Sequence, residues 1–259
     1  MGKDQTVLFH STVFGPIHSR RLGTSLGINL LPDDGKVCTF DCVYCEAGYN
    51  SQGTGTTGLP TTQRVRLDLE KKLREMKEKG ENLDVITFSG NGEPTLHPQF
   101  AEVVGIVNEL RDKYFPQAKT SVLTNSTRIF DPKVAAALRL VDNNILKLDS
   151  AIDPTMRLID NPVSADFTVE RLVEALKQFS GEGIIQTMFL RGEHNGRHID
   201  NTTDQEIEAL IAAYREINPK EVMIYSLDRS TPEERLEKVE KPELERIADR
   251  IRAAGIKVK

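Results

Sequence analysis

Six short apolar runs, at residues 26–31, 85–88, 120–124, 145–148, 184–190 and 222–225, constrain the fold of this chain more than any other feature. They are mostly apolar throughout rather than apolar at strictly alternate positions, as strands are when both faces of a parallel sheet are covered. Helical stripes separate them, with apolar residues recurring at three- and four-residue steps: Phe100, Val103, Val104, Val107 and Leu110; Val169, Leu172, Val173, Leu176 and Phe179; Ile207, Leu210, Ile211 and Tyr214. Strand and helix in alternation, joined by right-handed crossovers, give an α/β fold with helices outside a parallel sheet. Six such units make an incomplete barrel, and a flat doubly wound sheet satisfies the same pattern.

Local signals place the helix ends. Asp131-Pro132 and Thr231-Pro232 each set a capping side chain before a proline at the first helical position, and Glu234 completes a capping box with Thr231. Residues 242–254 read as a last helix closed by Gly255. A length of 259 residues suits one α/β barrel, so residues 1–259 are expected to form a single domain. No apolar stretch approaches the roughly 20 residues of a membrane helix, and the start of the chain lacks the apolar region of a signal peptide, so a cytoplasmic protein with no membrane partner is expected.

The chemistry is concentrated in the only three cysteines, Cys38, Cys42 and Cys45, spaced C-x3-C-x2-C in Cys38-Thr-Phe-Asp-Cys-Val-Tyr-Cys45. Clustered thiols without scattered partners suit a reducing compartment, where thiolates bind metal. A structural zinc site wants four ligands, usually as two separated pairs, and no second pair accompanies this triplet. Three unconnected core thiols are the other bland reading. A 4Fe-4S cluster held by three thiolates keeps one iron open for another ligand.

This spacing, with Tyr44 before the last cysteine, resembles the signature of the radical SAM superfamily. The resemblance implies a partial (β/α)6 radical SAM barrel with its cluster loop at 38–45, a 4Fe-4S cluster on Cys38, Cys42 and Cys45, and S-adenosylmethionine on the open iron. It implies an enzyme that cleaves S-adenosylmethionine reductively to a 5'-deoxyadenosyl radical, which abstracts hydrogen from an unidentified substrate. An electron donor such as flavodoxin or ferredoxin is then a partner, and a protein or RNA is a candidate substrate. Two other functions are compatible with the chain: a glycyl-radical-enzyme activase, and a non-enzymatic iron-sulfur electron carrier whose fourth iron takes a His or Asp.

The segment Ser89-Gly-Asn-Gly-Glu-Pro-Thr95 follows the second strand, where α/β proteins gather binding groups. Its glycines allow close backbone approach, and the turn is expected to expose carbonyls and Glu93 to a ligand. It is not a dinucleotide fingerprint, because Glu-Pro follows the second glycine. It resembles the Gly-Gly-Glu motif that binds the methionine amino group in radical SAM proteins, with Asn91 at the first glycine, so Ser89, Gly90, Asn91, Gly92 and Glu93 are cofactor-binding candidates.

Strand ends supply Asn125, Ser126 and Asp149 as further cofactor-binding candidates, together with Tyr44. Alternation places Ile145, Lys147 and Asp149 on one face of a strand. If that face lines the barrel, Lys147 and Asp149 enter the cavity and meet an adenosyl ribose or ammonium; alternatively they pair with each other. Gln186 is a weaker hint of the same kind. His194 and His198 fall in a glycine-containing stretch read as a loop over the barrel mouth, and residues 225–229 could close an adenine pocket or contact substrate.

The N-terminal run from Phe14 to Pro32, taken with these motifs, is similar to radical SAM enzymes of wybutosine synthesis on transfer RNA. Those carry a second cluster on additional cysteines, which this chain lacks. A net charge of -5 argues against binding nucleic acid mainly through phosphates. Arg20, Arg21, Arg64 and Arg66 are local basic spots that could meet an anionic substrate at the barrel mouth or stand as ordinary solvated charges.

Overall fold

The six apolar runs become the six parallel strands of one curled sheet. In the computed structural model, which describes residues 7–19 and 22–259, an additional strand, β1 (Val13–Ser19), lies antiparallel to β2 (Gly23–Ile28). Then β3 (Val85–Phe88), β4 (Lys119–Thr124), β5 (Asn143–Lys147) and β6 (Ile184–His194) follow side by side in parallel. The end of β6 folds back through β7 (Arg197–Asp200), while its start pairs in parallel with β8 (Glu221–Ser226); β9 (Leu236–Lys238) also pairs with the end of β6. β1 and β8 are the end strands, so the parallel sheet stays unclosed, as a partial barrel. Between the two sequence-based alternatives, the curled sheet replaces the flat one.

Helices pack outside. Thr61 caps α1 (Thr62–Glu78) by accepting from Arg64 N, and Val65, Leu69, Leu73 and Met76 form its buried stripe. The next are α2 (Phe100–Tyr114) and α3 (Pro132–Leu138), the latter capped by Asp131 as its sequence predicts. α4 (Asp153–Ile159), α5 (Val169–Leu176), α6 (Asp204–Ile217) and α7 (Lys241–Ala253) complete the layer. The main core lies between sheet and helices, with Phe88, Phe100, Phe179, Phe189 and Tyr214 fully buried. A separate small cluster, Ile145, Ile184 and Met223 with Leu22 and Leu123, fills part of the barrel interior.

Two expectations are corrected, and one open alternative is decided. No helix starts at Thr231-Pro232; the Thr231 hydroxyl donates to the Glu233 carbonyl, closing a turn instead. The stretch holding His194 and His198 is a β-hairpin, not a loop, because Asn195 and Gly196 both adopt positive φ (50° and 72°), the backbone of a tight two-residue turn. Of the two alternatives for Arg64 and Arg66, the solvated charge holds: both belong to α1, where Arg64 pairs with Asp68 and Arg66 with Glu109. Arg20 and Arg21 lie outside the described residues. Among the described residues no helix is long and apolar enough to cross a membrane.

Candidate functional site

The cysteine loop follows β2 and is fastened from two sides. On one side Val37 N donates to the Asn91 carbonyl (3.0 Å) and Glu93 N to the Val37 carbonyl (3.0 Å), a one-residue parallel bridge. Gly92 sits there at φ +131°, and a Cβ would stand 1.9 Å from the Val37 carbonyl oxygen, so only glycine fits. On the other side Asp41 N donates to the Asp160 carbonyl, Val43 N to the Ile159 carbonyl, and Val163 N to the Thr39 carbonyl. Phe40 and Val43 are buried anchors between the cysteines.

Charge around the loop suits a cluster of thiolates. The buried Lys36 ammonium donates to the Gly48 carbonyl (2.7 Å) and to Asp41 Oδ1 (3.3 Å). Burial alone would lower its pKa, but the facing charges of Cys45, Cys38 and Cys42 hold it above the usual lysine value. Burial, with the Glu93 charge, pushes the Cys38 thiol up to about 11, and burial raises Cys42 well above its ordinary value. Iron binding must therefore displace protons that these thiols otherwise keep, as coordination does to a thiol. All three cysteines are free of disulfides. Among the described residues no three side chains gather as ligands of a single metal ion; cysteines gripping different irons of a cubane need not converge on one point. Three free thiols on one pinned loop, facing a buried cation, fit a cluster better than a lone ion.

Each thiol has a different outlook. Asn125 Nδ2 approaches Cys38 Sγ at 3.5 Å and donates to Thr39 Oγ1 at 2.9 Å. Cys42 is buried, its Sγ 3.5 Å from Asp160 Oδ1. Cys45 lines a barrel cavity of about 330 Å³, together with Ser89, Gly90 and Gln186. The cavity floor is the apolar cluster of Leu22, Leu123, Ile145 and Met223, and a Ser25–Thr87 hydroxyl pair (2.9 Å) adds an uncharged polar spot. Phe9 and Phe14, stacked at 3.6 Å between centroids, wall one side. At the mouth Glu46 pairs with Arg229 (2.6 Å), where the cavity meets a groove along the open seam lined by Ile17, His18 and residues 224–229.

Among the sequence-named binding candidates, Ser89, Gly90, the weaker candidate Gln186 and Arg229 line this cavity, whereas Tyr44, Asn91, Glu93, Asn125, Ser126 and Asp149 do not. Glu93 is turned inward, 1% exposed: it accepts from Thr95 N (3.0 Å), Thr95 Oγ1, Thr124 Oγ1 (2.8 Å) and Asn125 N (2.6 Å). The turn does not expose it, because two carboxylate oxygens with four internal donors have no reason to face water. Asn91, fully buried, ties the Phe9 backbone and the Pro32 carbonyl to the turn. Ser126, at φ 67°, is buried and donates to the Lys147 carbonyl (3.3 Å).

Of the alternating β5 face, only Ile145 reaches the cavity. Lys147 and Asp149 turn toward the cysteine loop: Lys147 Nζ lies 2.9 Å from Asp149 Oδ2 and 3.6 Å from Asp160 Oδ1, and donates to Tyr44 Oη, which donates to Asp149. Lys147 Nζ also stands 4.6 Å from the Tyr44 ring centroid, and Asp149 Oδ1 accepts from Met188 N (2.7 Å). Burial opposes the Lys147 charge, yet Asp149, Cys42 and Asp160 outweigh it and hold its pKa well above normal. Burial, then the Asp149 charge, raises Asp160 well above the carboxylate range. Both readings of the Lys147–Asp149 pair are thus incomplete: the two do pair, but within a network under Cys42. Sequence reasoning missed Lys36 and Asp160; Lys36 is two residues before Cys38, whereas Asp160 carries no local mark.

Residues 34–202 match the radical SAM superfamily. A protein named GTPase Obg from Brachyspira hyodysenteriae is 28% identical over 94% of this chain, which spans only 34% of that protein. A UPF0026 protein of Helicobacter pylori is 27% identical over 84% of the chain, which spans 66% of that relative, and one from Synechocystis sp. is 31% identical, with coverage of 86% and 78%. Among solved structures, a radical SAM methyltransferase from Sphaerobacter thermophilus aligns with TM-score 0.64 at 16% identity (91% of this chain, 65% of that one). TYW1 with a lysine-pyruvate adduct bound aligns at 0.62 and 13% (90% and 75%), and Streptococcus suis SuiB bound to S-adenosylmethionine at 0.62 and 15% (90% and 49%). At such identities the likeness concerns the fold.

Proposed function

Because the chain belongs to the radical SAM superfamily and to the UPF0026 proteins, we propose that it uses a 4Fe-4S cluster and S-adenosylmethionine to abstract hydrogen from a substrate admitted through the open seam of the barrel. The observation that carries this reading is that Cys45, Ser89 and Gly90 line one cavity with an apolar, uncharged floor. The cofactor pair supplies reductive sulfonium cleavage and a 5'-deoxyadenosyl radical. Cys38, Cys42 and Cys45 would hold the cluster, with Cys45 toward the cavity. Glu93 does not touch the ligand in this account; it holds the turn that presents Ser89 and Gly90. Asn125 orients the Cys38 side, and the Lys147–Asp149–Asp160 network backs Cys42.

Membership of an enzyme superfamily leaves the electron-carrier reading without support. The N-terminal run is similar to the wybutosine-synthesis group, and TYW1 shares the fold, yet with three cysteines in the chain the proposal is a single-cluster enzyme whose substrate, a protein or an RNA among the candidates, differs from that reaction. Anaerobic reconstitution tests the reading. We expect four irons and four sulfides per chain and 5'-deoxyadenosine on addition of reductant and S-adenosylmethionine, with Cys38→Ala, Cys42→Ala and Cys45→Ala each losing both. Full iron loading with retained cleavage in any of these variants would reject it.

A further inference from the structure

A second depression, of about 370 Å³, lies on the other side of the cysteine loop and shares no lining residue with the barrel cavity. Thr39 and Thr127, their hydroxyls 2.6 Å apart, contribute to its lining. Phe130 and Val163 stand out of its wall, 45% and 68% exposed, although both are large apolar side chains. Arg128 and Arg171 line it as well, and Arg171 lies 5.7 Å from the centroid of the Phe130 ring.

Its charge departs from that of the chain, whose net value is -5. Arg171 donates to the Asp166 carbonyl, and neighbouring Arg157 to the carbonyls of Ala165 and Phe167. Neither guanidinium forms an ion pair among the described residues. Arg128 has a partner only at 3.3 Å, in half-buried Asp131, and such a contact near the surface is worth little in water. The depression is thus an apolar patch with basic side chains in an acidic protein, and Asp166 is the one acidic residue in its lining.

Its position decides what such a patch can serve. Thr39 is bonded to Cys38, and the Asn125 amide spans Thr39 Oγ1 and Cys38 Sγ. Cys42 is buried beside Asp160 and Cys45 faces the barrel cavity, so the Cys38 side is the approach to the loop that does not cross the substrate space. Reductive cleavage consumes one electron per event, and all three cysteines of the chain are taken by one cluster. The electron must arrive from another molecule.

We propose that this depression is the docking surface for a small acidic protein that carries a low-potential one-electron centre, and that the electron enters on the Cys38 side. The carrier is oxidised by one electron and the cluster is reduced by one, with no other bond made or broken. Opposite charges steer the encounter, and the exposed Phe130 and Val163 supply the apolar contact of a small transient interface.

This inference rests on the single-cluster reading, and the test separates the two. Reconstituted protein is mixed with a reduced bacterial flavodoxin or with dithionite while cluster absorbance is followed, and flavodoxin binding is measured by calorimetry at low and high salt. We expect Arg128→Glu with Arg171→Glu to slow reduction by flavodoxin about tenfold or more at low salt and to weaken binding in parallel, while reduction by dithionite is unchanged. Phe130→Ser should weaken binding without altering its salt dependence. Flavodoxin reduction that is indifferent to all three substitutions, or to salt, overturns the docking surface. Failure of dithionite to reduce a centre in the unaltered protein instead overturns the cluster.

Discussion

Of the buried carboxylates around the cysteine loop, Glu93 and Asp149 are accommodated by opposite means. Glu93, on the side of the glycine turn, is met only by neutral donors: two threonine hydroxyls and the backbone N–H groups of Thr95 and Asn125. Asp149, on the far side under Cys42, is met by the Lys147 ammonium, the Tyr44 hydroxyl and Met188 N, with Asp160 against the same lysine. An ionised carboxylate is costly to bury unless it is hydrogen-bonded or paired. The Glu93 corner meets that cost with fixed dipoles and thereby ties a turn to the end of β4. The Asp149 corner meets it with charge, and thereby ties the electrostatics under Cys42 to a single lysine. One corner is a fastening; the other is a charge balance.

Removing the lysine should have the larger effect. Lys147→Met leaves Asp149 and Asp160 buried together without a cation, and we expect a loss of roughly 3–5 kcal/mol in urea unfolding, the cost of breaking a buried ion pair. Adding Asp149→Asn to that variant should restore part of it; no restoration would mean the corner is held by shape rather than by charge. Glu93→Ala should cost less, about 2 kcal/mol, since it strands the Thr124 hydroxyl and the Asn125 N–H.

Glu93→Gln sharpens the contrast through pH. Burial raises the Glu93 pKa above the ordinary carboxylate value, although its hydrogen bonds pull it down. In the window between the unfolded and the folded pKa the folded protein binds more protons at this site, so its contribution to stability falls as pH rises through that window. Subtracting the Glu93→Gln profile from that of the unaltered protein should isolate this slope; identical profiles would place the shift elsewhere. The smallest effect belongs to the outer surface, where Arg66→Ala breaks only the pair with Glu109, whose carboxylate is 60% exposed. Under about 1 kcal/mol is expected, with iron content unchanged; a loss of iron would return Arg66 to the site.

These two corners also show how far the sequence reached. The buried strand runs announced β2 to β6 and β8 because a strand covered on both faces has no polar side to hide it. α1 was not legible in the same way: Val65, Leu69, Leu73 and Met76 are four apolar residues among many charges, and their stripe is blurred by Leu67, which faces water at 56% exposure. The hairpin β6–β7 was hidden behind two histidines at helical spacing, although Asn195-Gly196 is the turn signal that names it. At the site, Cys38, Cys42, Cys45, Ser89 and Gly90 were readable as motifs. Whether Glu93 faces outward or inward was not, because two of its four donors, Thr124 Oγ1 and Asn125 N, come from the end of β4, about thirty residues on. Asp160 was silent for the same reason, lying 118 residues from the thiol it touches.

That last separation has a consequence in time. The three thiols emerge from the ribosome before the backbone groups of Ile159, Asp160 and Asn161 that brace their loop have been made. At ~5–20 residues per second of synthesis, the brace trails the thiols by on the order of ten seconds. Loading with iron and sulfide therefore belongs after most of the barrel has been translated, and a cell that delivers iron earlier would be offering it to a bare, unshaped peptide.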